Sequence, residues 1–295
     1  MAEIAIVIKT MFREKKLLRC INSIKKYMND IPYCLYIADD GPSTKGKKDL
    51  YKKLRKNGHI VLELPFDLGF NKSRNMLLQN LRDEKYILKM DDDFEFCGET
   101  NILAMKTILD NINEIGVIAD LERQIGEGKG VKSGEINKRQ GFLKKEGNKL
   151  IKKNIPLNKF KYFNCNNFKY AKCDLIREMQ LFKREVFKDV HWEEKLHFKG
   201  THLDFLLQIK ESKYDSAFTP DSVHLHREDL PEIMENKYRK VKNNKNDQIN
   251  KKKLFEEKWG IQEIIWHESL ITKIYKNSIK RLKKIKKKLK LYLKE

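Results

Sequence analysis

Tyr86-Ile87-Leu88-Lys89-Met90-Asp91-Asp92-Asp93 is the stretch on which the reading of this chain turns. A short apolar run closed by charge reads as a buried strand. Three successive carboxylates at its carboxyl end repel one another unless a cation sits among them. Hard divalent ions such as Mg2+ and Mn2+ take oxygen ligands, commonly one or two carboxylates together with substrate phosphates. Asp91-x-Asp93 at a strand end therefore suggests a metal–diphosphate site. A solvated acidic turn is the alternative that the rest of the chain must exclude.

Working outward, residues Ile4 to Ile8 read as a strand ending in Lys9-Thr10. Leu17, Leu18, Ile21 and Ile24 then follow helical spacing to about Met28. Tyr33 to Ala38 is a second strand, ending in Asp39-Asp40-Gly41-Pro42. Leu50 to Lys56 reads as a helix and His59 to Leu64 as a third strand. A loop containing Gly69 leads into a helix from about Lys72 to Leu81. The alternation predicts an α/β fold, a Rossmann-like, mostly parallel sheet flanked by helices. Ligands of such sheets bind at the carboxyl ends of the strands. Thr10, Asp39, Asp40 and the aspartate trio all fall there, so one crevice collects them.

Beyond the trio the pattern loosens. Arg123 to Lys153 alternates glycine with Lys and Glu and reads as a mobile loop or hairpin over the crevice, or as an ordinary solvated insertion. Apolar runs return from Asn164 to His226, including a helical stretch after Asp204. Asn236 to Lys253 reads as a linker or exposed helix, and Trp259 to Ile274 is apolar enough to pack back on the body. The expected division is a catalytic domain over 1–230, with a nucleotide-binding part over about 1–120 and an acceptor part over about 121–230. A Lys-rich helical extension over 231–295 follows.

The chain has 295 residues, 40% of them hydrophobic, enough for one large domain with an appendage. No stretch has the length and apolarity of a transmembrane helix. The start, with Glu3 and no basic leader, reads as a strand and not as a signal peptide. Five cysteines without CxxC spacing suit a reduced, cytoplasmic compartment. The net charge of +21, from 63 basic and 42 acidic residues, favours polyanions: nucleic acid, an anionic membrane face or phosphorylated substrates. Lysine outweighs arginine, which argues against base reading in nucleic acid.

Four patterns stand in order: Ile37-Ala38-Asp39-Asp40-Gly41; Asp67-Leu68-Gly69-Phe70-Asn71-Lys72-Ser73-Arg74-Asn75; Met90-Asp91-Asp92-Asp93-Phe94-Glu95-Phe96; and Trp192-Glu193-Glu194 followed by His202-Leu203-Asp204-Phe205 and Val223-His224-Leu225-His226. Together they resemble the family 2 glycosyltransferases of GT-A fold, nearest to the branch containing ganglioside-type beta-1,4-N-acetylgalactosaminyltransferases. The likeness covers roughly Ile4 to Arg227. It implies an inverting, metal-dependent transfer of a sugar of the GalNAc, Gal or Glc type from a UDP-sugar to a glycan or lipid-linked acceptor, in surface polysaccharide or lipooligosaccharide synthesis.

The resemblance implies roles residue by residue. Asp91 and Asp93 face the metal and the ribose–diphosphate, with Asp93 the stronger candidate for direct coordination and Asp92 a supporting residue. Asp39, ahead of Asp40, hydrogen-bonds the uracil or ribose; an Asx turn before Gly41 is the alternative. Thr10 touches the nucleotide. Arg74, at a helix start, suits a phosphate or sugar hydroxyl, or pairs with the trio. Asp204 is the candidate base that takes the acceptor proton, although a carboxylate in a first helical turn also stabilises the helix. His226 is the third metal ligand, which favours Mn2+ over Mg2+; a surface histidine pair with His224 is the alternative. Trp192, Glu193, Glu194 and His202 are expected to hold the acceptor, unless Trp192 caps the core.

Ile271, Tyr275, Leu282, Ile285, Leu289 and Tyr292 fall on one helical stripe clad in lysine, a basic amphipathic helix. It suits the anionic inner face of a membrane, so a peripheral location is expected, with a partner-binding or solvated helix as the alternative. Truncation after Thr272 is expected to abolish co-sedimentation with anionic vesicles and to leave UDP binding intact. Equal binding to neutral vesicles would overturn the membrane reading. Two other classes compete with the transferase. A nucleotidyltransferase or sugar-phosphate transferase would show a glycine-rich or lysine-bearing loop where Thr10-Met11-Phe12-Arg13 stands. A non-enzymatic polyanion binder explains the tail but not the acids at strand ends.

Overall fold

The computed structural model describes residues 2–126, 131–197, 199–228, 235–242 and 245–267. Strands β1 (Ile4–Thr10), β2 (Tyr33–Asp39), β3 (Ile60–Glu63) and β4 (Tyr86–Asp91) alternate with helices α1 (Glu14–Tyr27), α2 (Lys45–Lys56) and α3 (Phe70–Gln79). They pair in parallel in the order β3-β2-β1-β4. β1 is buried along its whole length because it is central and covered on both faces. Its side chains alternate accordingly. Ile4, Ile6 and Ile8 pack with Leu17, Ile21 and Ile24 of α1, while Ala5 and Val7 join Leu77 of α3 on the other face.

α2 begins five residues before the helix expected from Leu50. Its first turn, Lys45-Gly46-Lys47-Lys48, carries no apolar residue, and its start is marked instead by Thr44, whose hydroxyl caps the Lys47 amide at 3.2 Å.

The second half makes the sheet mixed. After β5 (Phe94–Glu95) and α4 (Ile102–Asn111) come β6 (Ile115–Ile125), β7 (Gly141–Glu146), β8 (Lys149–Asn154), β9 (Phe163–Cys165), β10 (Phe168–Lys172) and β11 (Gln180–Lys183). α5 (Thr201–Glu211), β12 (Asp215–Arg227), α6 (Glu235–Lys242), α7 (Lys245–Trp259) and β13 (Glu263–His267) complete the described elements. β11 lies antiparallel between β4 and β6, and β12 runs parallel to β6. β10 and β9 extend the far edge, antiparallel to their neighbours.

Within the glycine-rich stretch, residues 141–154 form a hairpin. β7 and β8 turn at Gly147, which takes φ +56°. β13 then adds to β8 in parallel, making a separate three-stranded sheet. Trp259 and Ile261 thus return to the body as expected, and the linker reading of 236–253 gives way to α6 and α7. Leu254 and Phe255 of α7 are buried in the cluster that holds Leu203 and Leu207 of α5. Among the described residues no helix is long and apolar enough to cross a membrane. The basic stripe from Ile271 to Tyr292 lies outside them. All five cysteines are free thiols.

Candidate active site

β1 and β4 end side by side, with Lys9 in register with Asp91, so the trio opens at the carboxyl edge of the sheet. The cations that relieve its repulsion are guanidinium groups of the chain itself. Arg74 donates to Asp91 Oδ1 at 2.8 Å. Arg13 donates to Asp92 Oδ1 at 2.8 Å and to Asp93 Oδ2 at 2.9 Å. Thr10 donates its hydroxyl to Asp92 Oδ2 at 2.7 Å. Asp92 is therefore held inside the protein, where burial and the neighbouring Asp93 raise its pKa against the pull of Arg13. Asp91 is the most open of the three, with a side chain 28% exposed.

Asp93 meets the end of β12. That strand passes alongside β5, placing His226 opposite Phe94, and the Arg227 amide donates to the Asp93 carbonyl at 2.9 Å. His226 Nε2 then lies 3.6 Å from Asp93 Oδ2, and its Nδ1 lies 3.4 Å from Glu122 Oε1. Burial opposes the imidazolium, but the two carboxylates outweigh it and raise His226 to about 10. Burial also opposes ionisation of Asp93 and is outweighed by Arg13 and His226, which hold the carboxyl below the usual range. Glu122 is fixed further by Arg177 and by the Asn137 amide at 2.8 Å. His224 faces the same residue, with Nε2 3.9 Å from Glu122 and Nδ1 2.8 Å from Asp120. Both histidines thus share a face, but His224 is fully buried and only His226 reaches the cavity.

Glu178, in the loop entering β11, completes the wall. It pairs with the buried Lys89 and lies 3.1 Å from His202 Nδ1. His202 Nε2 lies 3.1 Å from the Ile176 carbonyl, so the ring is held on both sides. Burial lowers His202 to about 4, against the pull of Glu178. Burial likewise resists ionisation of Glu178, but His202, Lys89 and Arg74 outweigh it and hold the carboxyl below its usual range.

These groups line a cavity of about 230 Å³ that includes the trio, Arg13, Glu122, Glu178, Thr201 and His226. A larger cavity of about 860 Å³ lies at the amino ends of the parallel strands, between Leu81, Tyr86 and Phe187. It holds none of these groups and is on the wrong side for a ligand of such a sheet.

Several expected residues stand elsewhere. Asp39 is buried and accepts from Lys47 Nζ at 2.8 Å, Tyr51 OH at 2.7 Å and the Gly41 amide at 3.0 Å. Asp40 is fully buried, with Lys9 Nζ 2.7 Å from Oδ1 and the Gly69 amide donating to Oδ2 at 3.3 Å. Asp40 thus braces Lys9 on the cavity wall, while Asp39 ties β2 to α2. The Asp40 contact explains Gly69, whose φ is +109° and where a Cβ would lie 2.9 Å from the His197 ring. Trp192 is 2% exposed and stacks on Phe205, so it caps the core and offers no face to an acceptor. Glu194 accepts from Asn75 at 2.9 Å, and Glu193 lies 3.5 Å from Lys258. This acidic pair ties its loop to α3 and α7.

Asp204 requires the main correction. It is fully buried on α5 and does not line the cavity. Oδ1 accepts from Trp259 Nε1 at 2.8 Å, and Oδ2 accepts from Gln208 Nε2 at 2.8 Å. Lys258 Nζ lies 3.1 Å from Oδ1. The carboxylate fastens α5 to α7, with both oxygens taken. Asp204→Ala is expected to cost roughly 3 kcal/mol, since it strands a half-buried indole N–H and a charged partner. That corresponds to a fall in melting temperature of roughly 6–12 °C by thermal denaturation. Asp204→Asn is expected to keep sugar transfer within about tenfold of wild type. A loss of the size expected for a general base, with an unchanged melting temperature, would restore the catalytic reading.

Arg13, Glu122, Arg177 and Glu178 are the site residues that sequence reasoning missed. Arg13 stood within a segment noted only for lacking a phosphate loop. The other three lie on β6 and before β11, outside every motif.

For a divalent ion, the donor set fits in part. Asp93 offers a carboxylate on one wall, His226 an imidazole once an ion displaces its proton, and Asp91 stands beside them on Arg74. Among the described residues no group of three His, Cys, Asp or Glu is gathered closely enough to hold a metal alone. Two protein ligands completed by substrate phosphate oxygens is a normal way to bind such an ion.

Comparison with known proteins bears on the family and the fold. Residues 5–190 match the family described as Glycosyl transferase family 2. A 115-residue segment, 39% of this chain, is 30% identical to mouse (Mus musculus) beta-1,4 N-acetylgalactosaminyltransferase 2, of which it spans 20%. The fold is similar to S. aureus TarS, at TM-score 0.53 and 17% identity over 82% of this chain and 38% of that one. The same holds for TarS 1–349 in complex with UDP-GlcNAc, at TM-score 0.53 and 17% identity over 80% of this chain and 61% of that one. GalNAc-T7 with UDP, GalNAc and Mn2+ is similar at TM-score 0.58 and 16% identity, over 77% of this chain and 44% of that one.

Proposed function

The chain belongs to glycosyl transferase family 2, and from that premise we propose that it transfers a sugar from a UDP-sugar to a glycan or lipid-linked acceptor with inversion, aided by a divalent cation. Family membership supports a glycosyltransferase over the nucleotidyltransferase and polyanion-binder alternatives. The observation that carries the finer reading is the junction of Asp93, His226, Arg13 and Arg74 at the carboxyl edge of β1 and β4. It combines possible metal ligands with fixed cations, as a diphosphate leaving group needs. The mouse relative's name favours GalNAc among the GalNAc, Gal and Glc donors.

Asp93 and His226 would hold the ion, with Asp91 turning from Arg74 to reach it or the ribose. The ion would neutralise the charge that develops on the leaving diphosphate. Mn2+ suits the imidazole better than Mg2+ does. Arg13 and Arg74 lend further positive charge beside the same phosphates. Glu178 is the proposed base. Its carboxylate takes the acceptor hydroxyl proton as the acceptor oxygen bonds to the anomeric carbon and the bond to the diphosphate breaks, releasing UDP. His202 and Lys89 orient it.

A panel of UDP-sugars with Mn2+, followed by UDP release, tests the reading. One UDP-sugar of the GalNAc, Gal or Glc type is expected to turn over well above the others. Release from none of them, or only from sugar nucleotides of other bases, would overturn it.

A further inference from the structure

A second cavity of about 460 Å³ adjoins the first, and the two share Glu178 and Thr201 as lining residues. Its other walls come from the small sheet and from α7: Lys152 of β8, Lys251 of α7, and Ile264 and Trp266 of β13. Trp266 is 49% exposed, a large apolar ring left in solvent. Lys152 Nζ sits 3.8 Å from its ring centroid, the geometry of a cation–π contact. Among the described residues Lys152 makes no ion pair. The one carboxylate on this wall, Glu178, is already paired with Lys89 and close to His202.

We propose that this second cavity is the acceptor subsite and that it selects glycans carrying an anionic group, a carboxylate or a phosphate, which Lys152 and Lys251 bind while Trp266 packs against a sugar face. The assignment rests on the transferase reading of the first cavity. Position supports it, because an acceptor seated here reaches the donor crevice at Glu178, the proposed base. Charge supports it as well. Burial, with smaller contributions from the nearby Lys251 and Arg139, lowers Lys152 to about 8, so its charge is held here at a cost. An anion beside Lys152 offsets that cost, and charge-assisted contacts of this kind are among the stronger hydrogen bonds. The aromatic ring supplies a surface for the apolar face of a sugar. β13 brings Trp266 to this place by pairing with β8 in register, Trp266 opposite Lys152.

Saturation-transfer NMR on the full chain, with UDP and Mn2+ present in excess, tests the proposal with matched probes. Hyaluronan tetrasaccharide is compared with neutral chitotetraose, and glucose 6-phosphate with glucose. At least one charged probe is expected to bind about tenfold or more tightly than its neutral counterpart, and the pair that shows the gap tells carboxylate from phosphate. Lys152→Gln with Lys251→Gln is expected to erase that gap while UDP affinity stays within about twofold, which shows that the variant is folded. Equal binding of charged and neutral probes in both pairs would overturn the proposal. So would an undiminished gap in the double variant, or a charged probe that binds only when UDP is absent, which would place the anion in the donor crevice. Failure of UDP to bind the wild type defeats the transferase reading separately. A lysine-dependent gap would then stand as anion binding, without the acceptor role.

Discussion

Glu178→Gln is expected to lower sugar transfer by about two to four orders of magnitude while UDP binding changes by less than about threefold. The substitution keeps the side-chain shape and removes the oxygen that would take the acceptor proton. Glu178 is the carboxylate that lines both cavities, whereas Asp92 and Glu122 are buried and held by guanidinium groups. Because Glu178 also partners the buried Lys89, a structural role has its own signature: loss of thermal stability and of UDP affinity together. A fall in kcat at constant UDP affinity and unchanged melting temperature separates the two. Transfer at near wild-type rate in this variant would remove Glu178 from the reaction.

Asp93→Ala is expected to weaken UDP binding in Mn2+ by roughly 10–100-fold and to reduce transfer at least as much. It removes the carboxylate that faces His226 and one of those that hold Arg13. Transfer by the wild type is expected to cease in excess chelator and to return more readily with Mn2+ than with Mg2+. Full turnover in chelator would contradict the assignment of Asp93 and His226.

The first half of the fold was legible because β1 to β4 and their helices carry clean periodicities and are close in sequence. What escaped depends on contacts between distant residues. β13 pairs with β8 across more than a hundred residues, and no local pattern announces it. Asp204 shows the same limit. A carboxylate in the first turn of α5 reads alike whether it faces a substrate or an indole, and the partner that decides, Trp259, belongs to α7. Trp192 was ambiguous for a similar reason, since only the packed Phe205 shows which way the ring faces. The trio itself was legible as a strand-end site, but the sequence argument asked for a metal to relieve its repulsion. Arg13 and Arg74 already provide that relief and His226 pairs with Asp93 beside them, so an ion at Asp93 would displace the imidazolium proton.

Calorimetric titration of UDP into the wild-type chain, in Mn2+ and again in excess chelator, tests the central claim most directly. The account predicts saturable one-to-one binding in Mn2+ that weakens at least about tenfold in chelator, because the diphosphate completes a coordination shell to which the protein contributes only part. Equal affinity with and without metal, or no binding in either condition, would contradict it.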